Sequence, residues 1–143
     1  MLNLTYLRDI KGFTLVEIMV VITIIALVGA VVGPRVFNQL SGAKTKAARL
    51  QIEDYGSALE LFYLETGRYP ASSEGLSALI KAPPGLERWN GPYLKKTILP
   101  RDPWDNDYYY QSPGEHGEYD LYSYGKDGKP GGDGENSDIV SWE

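Results

Sequence analysis

The chain has 143 residues, about one domain's worth, with 14 Lys+Arg against 19 Asp+Glu and a formal charge of −5. That balance lacks the basic footprint of a nucleic-acid binder, so no nucleic acid is expected as a partner. With no cysteine, thiol catalysis, Fe–S clusters, Cys zinc sites and disulfides are excluded, and the lone His116 leaves no His-rich metal site. Charge is also uneven along the chain. Residues 102–143 hold 11 acids and two bases, a net −9, whereas residues 1–101 hold 8 acids and 12 bases, a net +4.

Residues 13–33 form a 21-residue apolar run with one charge, Glu17. A helix of that length spans roughly 30 Å, the thickness of a bilayer core. It is apolar all round, so it lacks the single apolar stripe of a soluble helix, and a domain this small could not bury it on every side. Arg8 and Lys11 precede it, which predicts that residues 1–12 stay cytoplasmic and the C-terminal bulk crosses. A cleaved secretory signal is the competing reading, because Ala26–Gly33 contains small residues, but it does not account for Gly12 or Glu17.

The helical pattern continues beyond the run. Ala48, Ile52, Tyr55, Leu59 and Phe62 step by four, three, four and three, with Lys44, Lys46, Arg49, Glu53, Asp54 and Glu60 between them. Pro34 should kink or locally melt the helix, and Gly67 should end it. From Phe13 to Thr66 such a helix would be roughly 80 Å long. Ser72 or Ser73 is expected to cap a short helix through Ile80, and residues 86–106 read as loop. Asp107–Gln111 and Tyr119–Tyr124 are aromatic runs suited to strands, joined by a hairpin loop over 112–118. Trp89, Trp104 and the tyrosines are read as the small domain's core, and His116 as a turn or surface residue. The tail from Gly125 to Asp138 is rich in glycine and acid and is not expected to pack a core by itself. A long N-terminal helix with a small antiparallel sheet on its C-terminal half is the expected architecture.

The most specific feature is Lys11-Gly12-Phe13-Thr14-Leu15-Val16-Glu17 ahead of the apolar run. It resembles the precursors of the type IV pilin class. The resemblance implies a cut between Gly12 and Phe13 by a prepilin peptidase, N-methylation of Phe13, and an assembly role for Glu17. A carboxylate inside an apolar span costs about 2.5–3.5 kcal/mol on insertion scales and usually marks function. For Glu17 that function would be a salt bridge to a cationic terminus on a neighbouring subunit; snorkelling to water is the alternative.

Further motifs narrow the family: Gly67-Arg68-Tyr69-Pro70, Glu74-Gly75-Leu76, Asp102-Pro103-Trp104, Asn106-Asp107 and Pro113 to Leu121. Together they resemble the major, G-type pseudopilins of bacterial type II secretion. Asp105 departs from that pattern, where a glycine is usual. The resemblance implies an α+β fold: a long N-terminal helix, membrane-spanning in its first half, packed against a small C-terminal antiparallel β-sheet with a calcium-binding loop. It divides the chain into a leader, 1–12, a transmembrane and polymerisation helix, 13–34, and a periplasmic domain, 35–143. It also implies a structural, non-enzymatic subunit that polymerises with its own copies into a periplasmic filament, the pseudopilus, driving export of folded proteins across the outer membrane. The expected location is the inner membrane, in a single pass. Expected partners are the inner-membrane assembly platform and minor pseudopilins. A type IV pilus-like filament subunit or a minor pseudopilin is the alternative, and a membrane-anchored hydrolase or a tethered binding module are the competing classes.

The stretch from Tyr124 to Asp138 is dense in oxygen donors and glycines. Calcium takes six to eight hard oxygen ligands, which such a stretch can offer; a solvated tail is the other reading from residues alone. The resemblance implies a structural calcium ion held by Asp127, Asp138 and the carbonyls of Tyr124 and Lys129. Asp133, Glu135 and Ser137 match the family less closely, because the loop is longer around Gly131–Gly134.

Overall fold

The computed structural model describes residues 12–143. One helix, α1, runs Leu15–Thr66 and carries Pro34 inside it. Thr14 starts it: its Oγ1 accepts the Glu17 amide at 3.2 Å, satisfying one of the donors that every helix start leaves free. Gly67 ends it with a left-handed φ of +80°, and its amide donates to the Tyr63 carbonyl at 2.7 Å. The melting expected at Pro34 does not occur; the helix is unbroken there.

The described chain divides into two units between Asn38 and Gln39. In the first, the large apolar side chains from Phe13 to Phe37 are solvent-facing. None of the membrane-length apolar window is buried inside the chain.

The second unit holds the core. Ala48, Ile52, Tyr55, Leu59 and Phe62 are all buried, joined by Ala58, so the stripe expected from spacing is the stripe observed. Against it pack Leu76, Ala78, Leu79, Leu121 and Ile139. A short 3-10 helix covers Leu76–Leu79. It is preceded by Gly75 without a side-chain cap, not by Ser72 or Ser73 as expected. Ser72 bonds elsewhere: its Oγ donates to the Ser112 carbonyl and accepts the Ser112 amide, both at 2.9 Å, tying this segment to the hairpin loop.

The sheet has three antiparallel strands in the order β1-β2-β3: β1, Tyr109–Gln111; β2, Asp120–Ser123; and β3, Ile139–Val140. Tyr110 pairs Leu121 and Ser123 pairs Ile139. The Gly125–Asp138 tail adds no apolar side chain to the core, as expected, its 3-10 turn Gly134–Asn136 burying no residue; the strand β3 that follows was not expected, and its Ile139 is buried. Leu121 and Ser123 point into the core, while Tyr122 faces out and stacks on Tyr109 with centroids 5.3 Å apart. Partly buried Trp89, Trp104, Tyr69 and Tyr93 pack around the core, as read from sequence. Their polar tips are paired: Trp89 Nε1 donates to the Ala78 carbonyl at 2.8 Å, and Tyr55 donates to that of Pro100 at 2.8 Å.

Candidate functional site

Two places carry the residues singled out by sequence: the start of α1 and the loop between β2 and β3. At the first, Gly12 and Phe13 precede the helix, and both are exposed. A Cβ on Gly12 would meet nothing within 4 Å, so folding does not explain a glycine there. The leader up to Lys11 lies outside the described residues. Glu17 is exposed on the third helical residue, where the partial positive charge of the helix start favours a carboxylate. Thr14 and Glu17 thus occupy the spacing of a capping box, with its Thr-to-amide half formed. The sequence reading passed over Thr14, although Thr-x-x-Glu before an apolar run is the signature of that device.

The second site is the stretch from Tyr124 to Asp138. Gly125, Gly128, Gly131, Gly132 and Gly134 all have φ between +63° and +92°, a region closed to most side chains. The chain therefore reverses several times within a few residues. Asp127 Oδ1 accepts the Lys129 amide at 3.2 Å. Asp138 reaches across the loop, its two oxygens accepting the Gly131 amide at 3.1 and 3.0 Å. Ser137 donates to the Gly134 carbonyl at 2.9 Å, and Asp133 precedes the 3-10 turn without capping it. Glu135 is engaged elsewhere: Lys126 Nζ donates to it at 3.0 Å and Trp104 Nε1 at 3.4 Å. The Lys126 ammonium holds the Glu135 carboxyl below the usual range.

These residues are hard oxygen donors on one loop, the right chemistry for calcium. Among the described residues no three acidic or imidazole side chains converge. A shell of six to eight oxygens would therefore draw mostly on backbone carbonyls and water, with Asp127 and Asp138 supplying the charge. Glu135, tied to Lys126 and Trp104, braces the loop.

The base of the loop contains residues that sequence reasoning gave no role. Asp102 is buried, with 4% exposure. Its Oδ1 accepts the amides of Trp104 at 3.0 Å and Asn106 at 2.8 Å, and its Oδ2 accepts the Ser123 hydroxyl at 2.6 Å. Ser123 Oγ in turn accepts the Gly125 amide at 3.1 Å, and Asn106 Nδ2 donates to the Gly125 carbonyl at 2.9 Å. Asp105 is the one non-glycine with positive φ among the described residues, at 71°, which is why a glycine is at home there.

The hairpin loop holds a second buried carboxylate. Asp120 accepts the amides of Glu115 at 2.9 Å and His116 at 3.1 Å, and His116 Nδ1 at 3.0 Å. Burial pushes the Asp120 carboxyl up, but the bonds from His116 and the two amides outweigh it and hold it below the usual range. His116 is exposed in the hairpin loop, as expected of a turn or surface residue, and also stacks on Trp142 with centroids 4.0 Å apart.

Comparison with known proteins gives concordant matches. The family described as "Type II secretion system (T2SS), protein G" matches residues 35–142, and the prokaryotic N-terminal methylation motif matches residues 7–33. The chain is 44% identical over 140 residues to the type II secretion system core protein G of Pseudomonas aeruginosa, covering 95% of this chain and 97% of that one. It is 38% identical over 139 residues to that of Vibrio cholerae, covering 95% and 94%. Its fold is similar to the crystal structure of the major pseudopilin from the type 2 secretion system of enterohaemorrhagic Escherichia coli. The TM-score is 0.62 at 29% identity, over 74% of this chain and 92% of that one.

Proposed function

This chain belongs to the type II secretion system protein G family and is a structural subunit of the pseudopilus; from that premise we propose how it is processed, anchored, assembled and stapled. A prepilin peptidase cuts between Gly12 and Phe13, and Phe13 becomes the methylated N-terminus. The helix over 13–34 anchors the subunit in the inner membrane in one pass, with 35–143 on the periplasmic side. Copies then polymerise through that helix into a filament, together with the assembly platform and minor pseudopilins, and the filament's growth drives folded proteins across the outer membrane.

One observation carries this reading. The apolar positions from Phe13 to Phe37 stand exposed, whereas the second unit buries a core of its own. An apolar surface of that extent needs lipid or neighbouring chains to cover it. Glu17 within it would pair with a cationic terminus of a neighbour and set the axial register, since breaking such a pair leaves a charge stranded in a low-dielectric core. Head-to-tail contacts of this kind build open filaments.

Calcium is the proposed ligand of the loop, through Asp127, Asp138 and the carbonyls of Tyr124 and Lys129. When bound it would supply positive charge to a segment with a large acidic excess. The test of the whole reading is the mass of the mature N-terminus. It should correspond to a chain beginning at a monomethylated Phe13; a chain beginning within Ala26–Gly33 would make it a secretory signal instead.

A further inference from the structure

The geometry points to Asp102 as a positioning residue for the loop between β2 and β3: acting through Ser123 and Asn106, it fixes Gly125 and with it the donors that follow. This inference rests on the calcium reading above and adds to it a residue that touches no ion.

Asp102 stands 25 positions before Asp127 and is buried, with 4% exposure, its carboxylate held by the Trp104 and Asn106 amides and the Ser123 hydroxyl. Oδ1 closes the turn over Trp104 and Asn106, which orients the Asn106 amide toward the Gly125 carbonyl. Oδ2 takes the only proton of the Ser123 hydroxyl, so the lone pairs of that oxygen are left to receive the Gly125 amide. Both backbone groups of Gly125 are therefore set by partners whose orientation Asp102 determines. Ser123 has no exposure and Asp102 has 4%, so the bond between them is shielded from solvent.

Gly125 has no freedom to move within this arrangement. Its φ is +69°, and a Cβ there would lie 2.5 Å from the Glu135 carbonyl oxygen and 2.8 Å from that of Ser137. The outgoing chain at Gly125 and the returning chain at Glu135–Ser137 thus lie against one another. The Lys126 amide donating to the Glu135 carbonyl at 2.8 Å locks the two together. Among the described residues above this neck, Asp127, Asp133 and Asp138 carry carboxylates not committed to a side-chain partner, Glu135 being held by Lys126 and Trp104, and the spacing of Asp127 and Asp138 follows from where the neck holds each arm. A carboxylate that orients ligand-bearing groups without touching the ion is the arrangement through which outer-shell residues tune metal affinity.

The test uses the processed full chain in detergent, titrated with CaCl2 by calorimetry well below its melting temperature, for wild type, Asp102→Asn, Ser123→Ala and the double variant. Asp102→Asn and Ser123→Ala should each weaken calcium about tenfold. The double variant should lose no more than Asp102→Asn alone, because Ser123 acts through a bond that Asp102 accepts. A purely structural role would lower the melting temperature of the chelated protein and leave the dissociation constant unchanged, which would overturn the inference. So would losses that add in the double variant. Should Asp102→Asn fail to fold, Ser123→Ala, which removes one hydroxyl, carries the test with the same outcomes. A wild-type chain that takes up no calcium would refute the calcium reading instead, and is thereby distinguishable.

Discussion

Replacing Asp120 tests whether a single buried carboxylate organises the hairpin loop and the chain's end. The side chain is 4% exposed and accepts from two loop amides and the His116 imidazole. Hydrogen bonds to a charged group contribute about 1.5–3 kcal/mol each, but Glu115 and His116 are exposed and water can replace part of the loss. Asp120→Ala should therefore cost roughly 2–3 kcal/mol in total. For a unit of this size that corresponds to a melting temperature lower by about 10–20 °C. Asp120→Asn should cost nearly as much although it is isosteric, because its amide nitrogen would face donors instead of accepting from them.

The pH dependence has a defined sign. The folded carboxyl lies below its usual 3.8, so its stabilisation is complete above that value and is lost as pH falls through the folded pKa. Thermal melts of the detergent-solubilised chain, followed by near-UV circular dichroism, would check both points. The indole band of Trp142, stacked on His116, should weaken with the loop. An Asn variant within about 0.5 kcal/mol of wild type, a difference typical of surface changes, would refute the claim that the charge is used.

Three further outcomes follow from the sites. Gly12→Val should accumulate uncut precursor in the membrane; because a Cβ there meets nothing within 4 Å, normal folding with failed cleavage on an N-terminal sequencing assay is the expected pair of results. Glu17→Ala should insert at least as well, since it removes a charge costing about 2.5–3.5 kcal/mol in a span, yet yield few filaments by electron microscopy; a parallel fall in membrane content would assign Glu17 to insertion. Asp127→Ala and Asp138→Ala should each abolish the rise in melting temperature with calcium over chelator, about 2.7 kcal/mol of stabilisation at a hundredfold excess over Kd in wild type.

The elements legible in the sequence were those with strong periodicity. The Ala48 to Phe62 stripe, the apolar run and the two aromatic strands each repeat one pattern over several residues, and each is where it was expected. What escaped was held by single contacts. Strand β3 is two residues long, too short for alternation to show, and it exists because Ile139 finds the core and pairs Ser123. The short helix moved to Leu76 because Ser72 satisfies Ser112 across 40 positions, a partner no local pattern reveals. Pro34 illustrates the opposite case, where a local rule was outweighed: the flanking apolar residues favour a helix on both sides, and one lost backbone bond does not undo it. Asp102 and Asp120 read as two acids in an acidic half; only their burial separates them from Asp127 and Asp138.

The two units make different demands on one helix. Beyond Gln39 it is the spine of a three-stranded sheet that could not stand alone, since so few strands need a helix to cover their apolar face. Between Phe13 and Leu40 it exposes seventeen large apolar side chains. At about 1.5 kcal/mol each, transferring them from an apolar surrounding to water would cost roughly 25 kcal/mol, above the 5–15 kcal/mol that holds a typical domain folded. A subunit leaving the bilayer through water would face that whole cost, whereas one passed directly from lipid to the apolar flanks of its neighbours would face little of it. On the proposed reading extraction and polymerisation are one step energetically, and Glu17, the only charge within residues 13–33, would be the group whose pairing distinguishes a neighbour's flank from lipid. That is why its removal should spare insertion while impairing assembly.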